Sequence, residues 1–267
     1  MVVDVQEVAR AYLRGTERRR VRIHAGLSFP DIPEELVRKI AARFHEQDHR
    51  PTDPAVRAQY LRMADEARAQ LACMTEQGVK VRMYRAPGQP YVTSRELCDA
   101  LDAGEDLYVY PTEAGHGPAG YEDPDNPLLL ISDAEIDGAK ALHNDVLRAT
   151  HDYFGHYLAR APFNLRGELS VAYSHLRMFS PAVHRAVLNE FAGQICWFYY
   201  GPHIMRTDGS VPVRGDADWI SPADRPFADQ KVNLMPAEWV AEFLEWGRAQ
   251  SAALAVRPAA ADGGEWE

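Results

Sequence analysis

The stretch with the clearest chemical potential is His151-Asp152-Tyr153-Phe154-Gly155-His156. Imidazole is the commonest metal-binding side chain in proteins, and near pH 7 it is largely in the neutral form that binds metals. Two histidines this close in sequence, with acidic residues further along the chain, predict a metal site in which His151 and His156 are ligands.

The spacing restricts how the two histidines can act together. Residues five apart on a straight α-helix point about 140° away from each other and lie about 7.5 Å apart along the axis. Zinc proteases space their two helical histidines four apart, which puts both rings on one face. A shared ion therefore requires the helix to end or bulge between His151 and His156, and we expect Gly155 to permit that break.

Glu190 is the predicted third metal ligand. It lies among apolar residues in a later stretch, Val187-Leu188-Asn189-Glu190-Phe191. A carboxylate in such surroundings is costly to bury unless it is paired or metal-bound. Two histidines and one carboxylate on one face of an ion leave coordination positions open, as in non-haem Fe(II) oxygenases. The set therefore predicts Fe(II) as the cofactor, with zinc and manganese left open.

Glu168 and His175 are further candidates for the site. They are seven apart in a segment with a helical pattern, so they share a face, but about 10.5 Å of helix axis separates them. Because that distance is too long for one ion, we expect both to line the site or to orient its ligands. Glu168 could instead pair with Arg166 or Arg177.

Three more polar residues complete the predicted catalytic set. Asp152 and Gln194 could orient the ligating imidazoles through hydrogen bonds. Arg148, one turn before His151, could hold a substrate carboxylate, since guanidinium groups match carboxylates in geometry. A surface salt bridge is the alternative role for Arg148.

At these residues the chain resembles the catalytic core of the pterin-dependent aromatic amino acid hydroxylases. Members of that family carry His-Glu-Leu-Leu-Gly-His, which matches the stretch from His151 to His156, and Asp152 stands where they have glutamate. Their third iron ligand lies in a Val-Glu-Phe-Gly context, for which Glu190 is the counterpart, and Glu168 also has a parallel. The resemblance spans roughly residues 140 to 200. It implies iron(II) and a pterin as cofactors.

A closer resemblance, over about residues 100 to 240, is to a little-characterised family of bacterial and phage proteins. That family combines a His-Asp-x-Phe-Gly-His motif with Gly-Glu and a later His, Glu-Thr-Arg-Gly-Gln, Tyr-Gly-Pro-His and Ala-Asp-Gln-Lys. The counterparts beyond the histidine motif are Gly167-Glu168, His175, Glu190, Gly193-Gln194, Tyr200-Gly201-Pro202-His203 and Ala228-Asp229-Gln230-Lys231. The chain departs at Phe191-Ala192, where that family has Thr-Arg. The resemblance implies a shared site and names no reaction.

Three functions are compatible with these residues. The leading hypothesis is a mononuclear non-haem iron(II) oxygenase that hydroxylates a small amino-acid-like or aromatic substrate with O2. The first alternative is a metal-dependent phosphohydrolase of the helical HD type, because His151-Asp152 is a literal His-Asp pair and His116 or His143 could be its upstream ligand. The second alternative is a non-catalytic metal- or ligand-binding protein.

The elements that position these residues are predicted to be mostly helices. We expect a mainly α fold (α+β with a small two-stranded sheet), a single catalytic domain over residues 1–250 around the metal site, and a disordered tail over 251–267. Caps and prolines predict helices over Asp31 to Gln47, Asp53 to Gln77, Thr93 to about Gly104, Ser132 towards His151, Ser180 to about Tyr200, and Pro236 to about Arg248. The predicted strands are Val79 to Met83 and Leu107 to Tyr110.

The composition of the chain indicates which classes of partner and which compartment to expect. The formal net charge of -10 repels phosphate backbones, so we expect no nucleic acid partner. The basic run Arg18-Arg19-Arg20 is interpreted as a solvated helix end. Three widely spaced cysteines, Cys73, Cys98 and Cys196, predict a reducing compartment. With no signal peptide and no long apolar run, we expect a cytoplasmic protein without a membrane partner. A homodimer is compatible with the sequence.

Overall fold

The architecture is mainly helical, as the sequence predicts. The computed structural model describes residues 3–23, 25–115 and 123–256. The α-helices are α1 (Val5–Arg14), α2 (Glu34–Glu46), α3 (Pro54–Glu76), α4 (Ser94–Asp102), α5 (His143–Thr150), α6 (Leu165–Met178), α7 (His184–Leu188), α8 (Gln194–Tyr200) and α9 (Ala237–Val256). Two segments have the wider π-helical pattern, π1 (His151–Tyr157) and π2 (Asn189–Gly193).

The caps read from the sequence form as expected at two helices. The Asp53 side chain accepts hydrogen bonds from the backbone N–H groups of Ala55 and Val56 at the start of α3. Thr93 accepts a bond from the Glu96 N–H at the start of α4. These bonds satisfy backbone donors that have no partner inside the helix, so they fix where each helix begins.

The first sheet confirms the two predicted strands. Strand β1 (Val81–Met83) pairs in parallel with β2 (Leu107–Val109), and Val81 lies opposite Leu107. Parallel neighbours need a crossover connection, and the segment that contains α4 supplies it.

A second sheet replaces the predicted start of a helix at Ser132, and that prediction is wrong. Strands β3 (Ile131–Ile136) and β4 (Ala139–Leu142) form an antiparallel hairpin, and α5 begins only at His143. The hairpin turns at Asp137 and Gly138, whose φ angles are 56° and 74°. Asp-Gly is a favoured pair for such turns because glycine and aspartate tolerate positive φ. The preference of Asp137-Gly138 for a hairpin turn therefore outweighs the Ser-x-x-Glu capping pattern that begins at Ser132.

The helices form one main hydrophobic cluster that surrounds the histidine motif. Helix α2 packs against α8, α3 against α5, and α6 against π1. Phe44 of α2, Tyr60 of α3 and Phe154 of π1 are all buried in this cluster. The site residues are thus held by elements distant in sequence.

The chain ends differ from the sequence-based expectations. Helix α1 is absent from the predicted elements, although Asp4 caps it by accepting a bond from the Gln6 N–H. Helix α9 continues beyond Arg248 to Val256, so the predicted disordered tail does not include 251–256. Residues 257–267 lie outside the described residues. None of the described helices combines the length and apolar character that crossing a bilayer requires.

Candidate metal centre

A π-helical segment brings the two motif histidines together. Helix α5 continues directly into π1, which contains His151 and His156. The wider turn of a π-helix changes the angle between residues five apart, and such segments recur at functional sites. The Nε2 atoms of His151 and His156 lie 3.1 Å apart. The predicted bulge between the two histidines is therefore confirmed.

Gly155 is needed for close packing rather than for an unusual backbone angle. Its φ is not among the positive values found in the chain. A Cβ added at Gly155 would lie 2.4 Å from Val171 Cγ1 and 3.2 Å from His175 Nε2, both on α6. The missing side chain thus lets α6 approach the back of the histidine motif.

Glu168 of α6 is the carboxylate that meets both histidines. One of its oxygens lies 3.2 Å from His156 Nε2, and the other lies 3.5 Å from His151 Nε2. The alternative pairing of Glu168 with Arg166 or Arg177 is not observed. Those two arginines donate instead to backbone carbonyls, of Pro30 and Arg22 respectively.

The Nε2 atoms of His151 and His156 and the Glu168 carboxylate oxygens are directed towards one another, an arrangement in which the three groups can share a cation. His156 Nδ1 lies 3.0 Å from the Ala161 carbonyl and can donate its proton there, which leaves Nε2 free as a ligand. Burial lowers the pKa of His156, but the charge and hydrogen bonding of Glu168 raise it above its ordinary value. Burial likewise raises the pKa of Glu168, and the two imidazoles outweigh it and hold the pKa well below its usual range.

The spacing fits a single metal ion. Ligand atoms about 2.1 Å from one ion are separated by about 3.0 Å when adjacent in an octahedron and about 3.4 Å in a tetrahedron. The two Nε2 atoms are 3.1 Å apart, and each lies 3.2 or 3.5 Å from a different oxygen of the Glu168 carboxylate, so these separations are close to the expected values. His151, His156 and Glu168 could therefore hold a divalent cation with little rearrangement.

Glu190, the predicted third ligand, lies on the wall of the same pocket with different partners. Its carboxylate accepts hydrogen bonds from the Tyr60 hydroxyl, at 3.3 Å, and from the Gln230 amide. Asn189 donates to the same Tyr60 hydroxyl at 2.8 Å and in turn accepts a bond from Gln47. Burial raises the pKa of Glu190 to about 7, although these hydrogen bonds and Arg148 lower it. The structure thus brings Glu168, rather than Glu190, between the two histidines.

Asp152 and His175 flank the centre. An Asp152 carboxylate oxygen and ligand atoms of His151 and His156 all lie within 4.8 Å of one another. Burial raises the pKa of Asp152. His175 is fully buried and stacks on His151 and Phe191, with ring centroids 5.5 and 4.2 Å away. Neither ring nitrogen of His175 has a hydrogen-bond partner within the described residues. Burial lowers the pKa of His175 well below its ordinary value.

Arg148 and Gln194 hold the walls of the pocket. Arg148 donates to the backbone carbonyls of Tyr110, at 3.1 Å, and Gly115. The predicted surface salt bridge is not found for Arg148 within the described part of the chain. Gln194 donates to the Ala228 carbonyl at 2.9 Å, which fixes the segment that carries Gln230.

The pocket has a volume of about 500 Å³ and its walls combine aromatic with polar side chains. Phe163 and Phe227 are large exposed apolar side chains of this lining, with exposed fractions of 40% and 63%. Phe191, Phe198 and Tyr199 add further aromatic surface. The polar lining residues are Asn144, Arg148, His151, Glu168, Glu190, Gln194 and Gln230. Sequence reasoning missed the aromatic residues Phe163 and Phe227, because only the folded loops bring them to this pocket.

Two other predicted histidines do not contribute to this pocket. His143 Nδ1 lies 2.9 Å from the Pro127 carbonyl, and His203 stacks on Trp197 with ring centroids 3.9 Å apart. His116 lies outside the described residues. Comparison of the chain with protein-family models, curated proteins and solved structures finds no match.

Proposed function

We propose that the protein is a mononuclear non-haem iron(II) oxygenase acting on a small aromatic or amino-acid-like substrate. The observation that carries the proposal is the contact of two imidazole Nε2 atoms, 3.1 Å apart, with one carboxylate at the side of an open pocket. His151, His156 and Glu168 would hold the ion. An iron(II) ion with three protein ligands would supply dioxygen activation, because its remaining coordination positions are open.

The pocket residues support an aromatic substrate with a polar group. Phe191, Phe198 and Phe227 offer apolar walls, which suit the removal of a ring from water. Arg148 brings a positive charge that no described carboxylate neutralises by direct contact. A substrate carboxylate directed towards Arg148 would form charge-assisted hydrogen bonds.

Other residues around the pocket orient His156 and hold a carboxyl group that can exchange protons. The Ala161 carbonyl fixes the ring orientation of His156. Tyr60 and Gln230 hold the Glu190 carboxylate at the pocket wall. A carboxyl group with a pKa near 7 can exchange a proton with a bound substrate near neutral pH.

Hydroxylation requires a second reactant. One oxygen atom enters the substrate C–H bond, and reduction of the other to water consumes two electrons from a co-substrate. Tetrahydropterin is the class of reductant that the resemblance to the aromatic amino acid hydroxylases implies. The aromatic pocket walls are compatible with stacking of such a ring.

Anaerobic Fe(II) titration followed by O2 consumption tests the proposal. We expect wild-type protein to bind one Fe(II) per chain and to consume O2 in the presence of aromatic amino acids and tetrahydropterin. His151→Ala should lose Fe(II) binding, whereas His203→Ala, outside the pocket, should retain it. Equal Fe(II) affinity of wild type and His151→Ala would refute the metal assignment.

A phosphohydrolase of the HD type is the second candidate, because Asp152 lies within 4.8 Å of both histidine ligands. Such enzymes use a metal-bound water to attack phosphorus. Release of p-nitrophenol from bis-p-nitrophenyl phosphate with Mn2+, lost in Asp152→Asn, would favour this function. We expect no such turnover, because the pocket offers a single arginine and the chain carries a net charge of -10.

A further inference from the structure

A second concavity, away from the histidines, is lined by arginines. We call it the arginine groove, and its volume is about 670 Å³. Helix α6 and the segments before α7 and after α1 contribute to it, together with α9. The arginines that line it are Arg18, Arg20, Arg22, Arg177 and Arg248, and His184 lies among them. Five guanidinium groups thus meet in one concavity of a chain whose net charge is -10.

Backbone contacts fix the inner part of the groove. Arg18 donates through Nε to the Arg177 carbonyl, at 3.1 Å, and through Nη2 to the Leu176 carbonyl, at 3.0 Å. Both carbonyls belong to the last turn of α6, where a cation is favoured by the helix dipole. Arg177 lies over the Tyr173 ring, 5.5 Å from its centroid, and donates to the Arg22 carbonyl.

Close packing of α9 brings in the last arginine. A Cβ added at Gly247 would lie 2.2 Å from Tyr173 Cδ2, so only glycine allows this approach. Arg248 follows Gly247 directly and lines the groove. The groove is therefore built by tertiary packing and is more than the solvated helix end that the run Arg18-Arg19-Arg20 suggests.

Among the residues that the structure describes, the arginines of the groove have no acidic partner in direct contact. None of the five forms an ion pair with a carboxylate within residues 3–23, 25–115 and 123–256. Glu66 acts on Arg18 at longer range, and its oxygens are engaged by Ser180 and Arg62. Like charges held together without counter-charges repel, and a bound anion would relieve that repulsion.

We propose that the arginine groove binds a compact phosphorylated anion, such as a small polyphosphate or phosphate ester with at least two negative charges. Guanidinium groups match phosphate oxygens in geometry and remain charged at all physiological pH values. The chain's negative net charge disfavours long polyanions and anionic membranes, which must approach over a large area. The concavity therefore favours a small ligand. The site is separate from the candidate metal centre and does not rest on the proposed oxygenase activity.

Isothermal titration of the full chain with inorganic pyrophosphate tests this site. We expect saturable binding with one pyrophosphate per chain. The double variant Arg20→Gln/Arg248→Gln removes two exposed side chains and should weaken binding by at least about tenfold, because hydrogen bonds between charged groups are among the strongest in proteins. The control Arg14→Gln/Arg214→Gln removes the same charge outside the groove and should change the affinity by less than about twofold. Circular dichroism confirms that each variant is folded.

Three results would overturn the proposal. The first is the absence of saturable heat with wild-type protein at low ionic strength. The second is equal weakening in the groove variant and in the control, which would mean that only overall charge matters. Sedimentation with phosphatidylglycerol vesicles forms a further arm, and we expect no co-sedimentation. Vesicle binding that is lost in the groove variant, without pyrophosphate binding, would assign the groove to a membrane and refute the small-ligand proposal.

Discussion

Replacement of Glu168 by glutamine should remove most of the stabilisation of the protein by Fe(II). The Glu168 carboxylate contacts both histidine Nε2 atoms, at 3.2 and 3.5 Å. Loss of a group that merely orients a ligand weakens metal binding by about 10- to 100-fold. Loss of a direct ligand should cost at least as much, so we expect at least about 100-fold weaker binding. Glu190→Gln is the matched control, because Glu190 lines the same pocket and bonds to Tyr60 and Gln230 instead.

The magnitude follows from linkage between binding and folding. At a free Fe(II) concentration of about 100 times the wild-type Kd, binding stabilises the native state by about 2.7 kcal/mol. A 100-fold weaker variant gains only about 0.4 kcal/mol at that concentration. At about 2–4 °C per kcal/mol for a chain of this size, wild type and Glu190→Gln should gain about 5–10 °C in Tm, and Glu168→Gln about 1 °C.

Anaerobic differential scanning calorimetry with and without Fe(II) measures these shifts. The comparison uses the change in Tm on adding metal, so any effect of a substitution on the metal-free protein cancels. The reverse pattern, with the metal-induced shift lost in Glu190→Gln and kept in Glu168→Gln, would refute the structural assignment. It would restore Glu190 as the third ligand, as the sequence alone predicts.

Three further predictions concern the packing and the charges around the site. Gly155→Ala should lower the free energy of unfolding by about 1–3 kcal/mol, because the new Cβ would lie 2.4 Å from Val171 Cγ1. In urea titration, the double variant Gly155→Ala/Val171→Ala should recover part of that lost free energy. If the two substitutions instead destabilise the protein additively, the clash is contradicted. The raised pKa of Glu190, about 7, means that its protonated form is favoured in the folded protein. The contribution of protonated Glu190 to stability is therefore complete below its ordinary pKa of 4.5 and is lost as the pH rises through about 7. Metal-free Glu190→Gln should consequently gain stability relative to wild type as the pH rises over that interval. Parallel profiles of stability against pH for the two proteins would contradict this. Tyr60→Phe should cost about 1–3 kcal/mol, because the buried amide of Asn189 loses its hydroxyl partner; an unchanged midpoint in urea would exclude that role.

Local signals in the sequence predict most of the helical architecture. Asp53 and Thr93 mark helix starts, because a cap depends on residues only two or three positions away. The same locality explains the error at Ser132, since a capping pattern and a hairpin turn compete within one short segment. The Asp137-Gly138 pair was the signal that would have decided for the hairpin.

The carboxylate at the centre could not be chosen from sequence in the same way. Reasoning along one helix compares Glu168 with His175, which are too far apart to share an ion. The actual neighbours of Glu168 are His151 and His156, on a different element that packs across α6. Glu190 is largely sheltered from solvent, as expected from its apolar neighbours in sequence. The hydrogen bond that offsets the cost of burying its carboxylate comes from Tyr60, which is 130 positions away. Contacts between elements therefore determine which acidic group meets the histidines.

The two π-helical segments link the local sequence to the site. An α-helical continuation of α5 would satisfy the backbone of 151–157 with the commoner hydrogen-bond pattern, but it would turn His156 away from His151. Segment π2 likewise carries Glu190, on the wall of the same pocket. Gly155 sits where α6 leaves no room for a side chain, so the packing that supports π1 also brings Glu168 to the histidines. The widened turn and the approach of α6 are thus joint requirements of the contact between Glu168 and the two histidines, and neither alone would produce it.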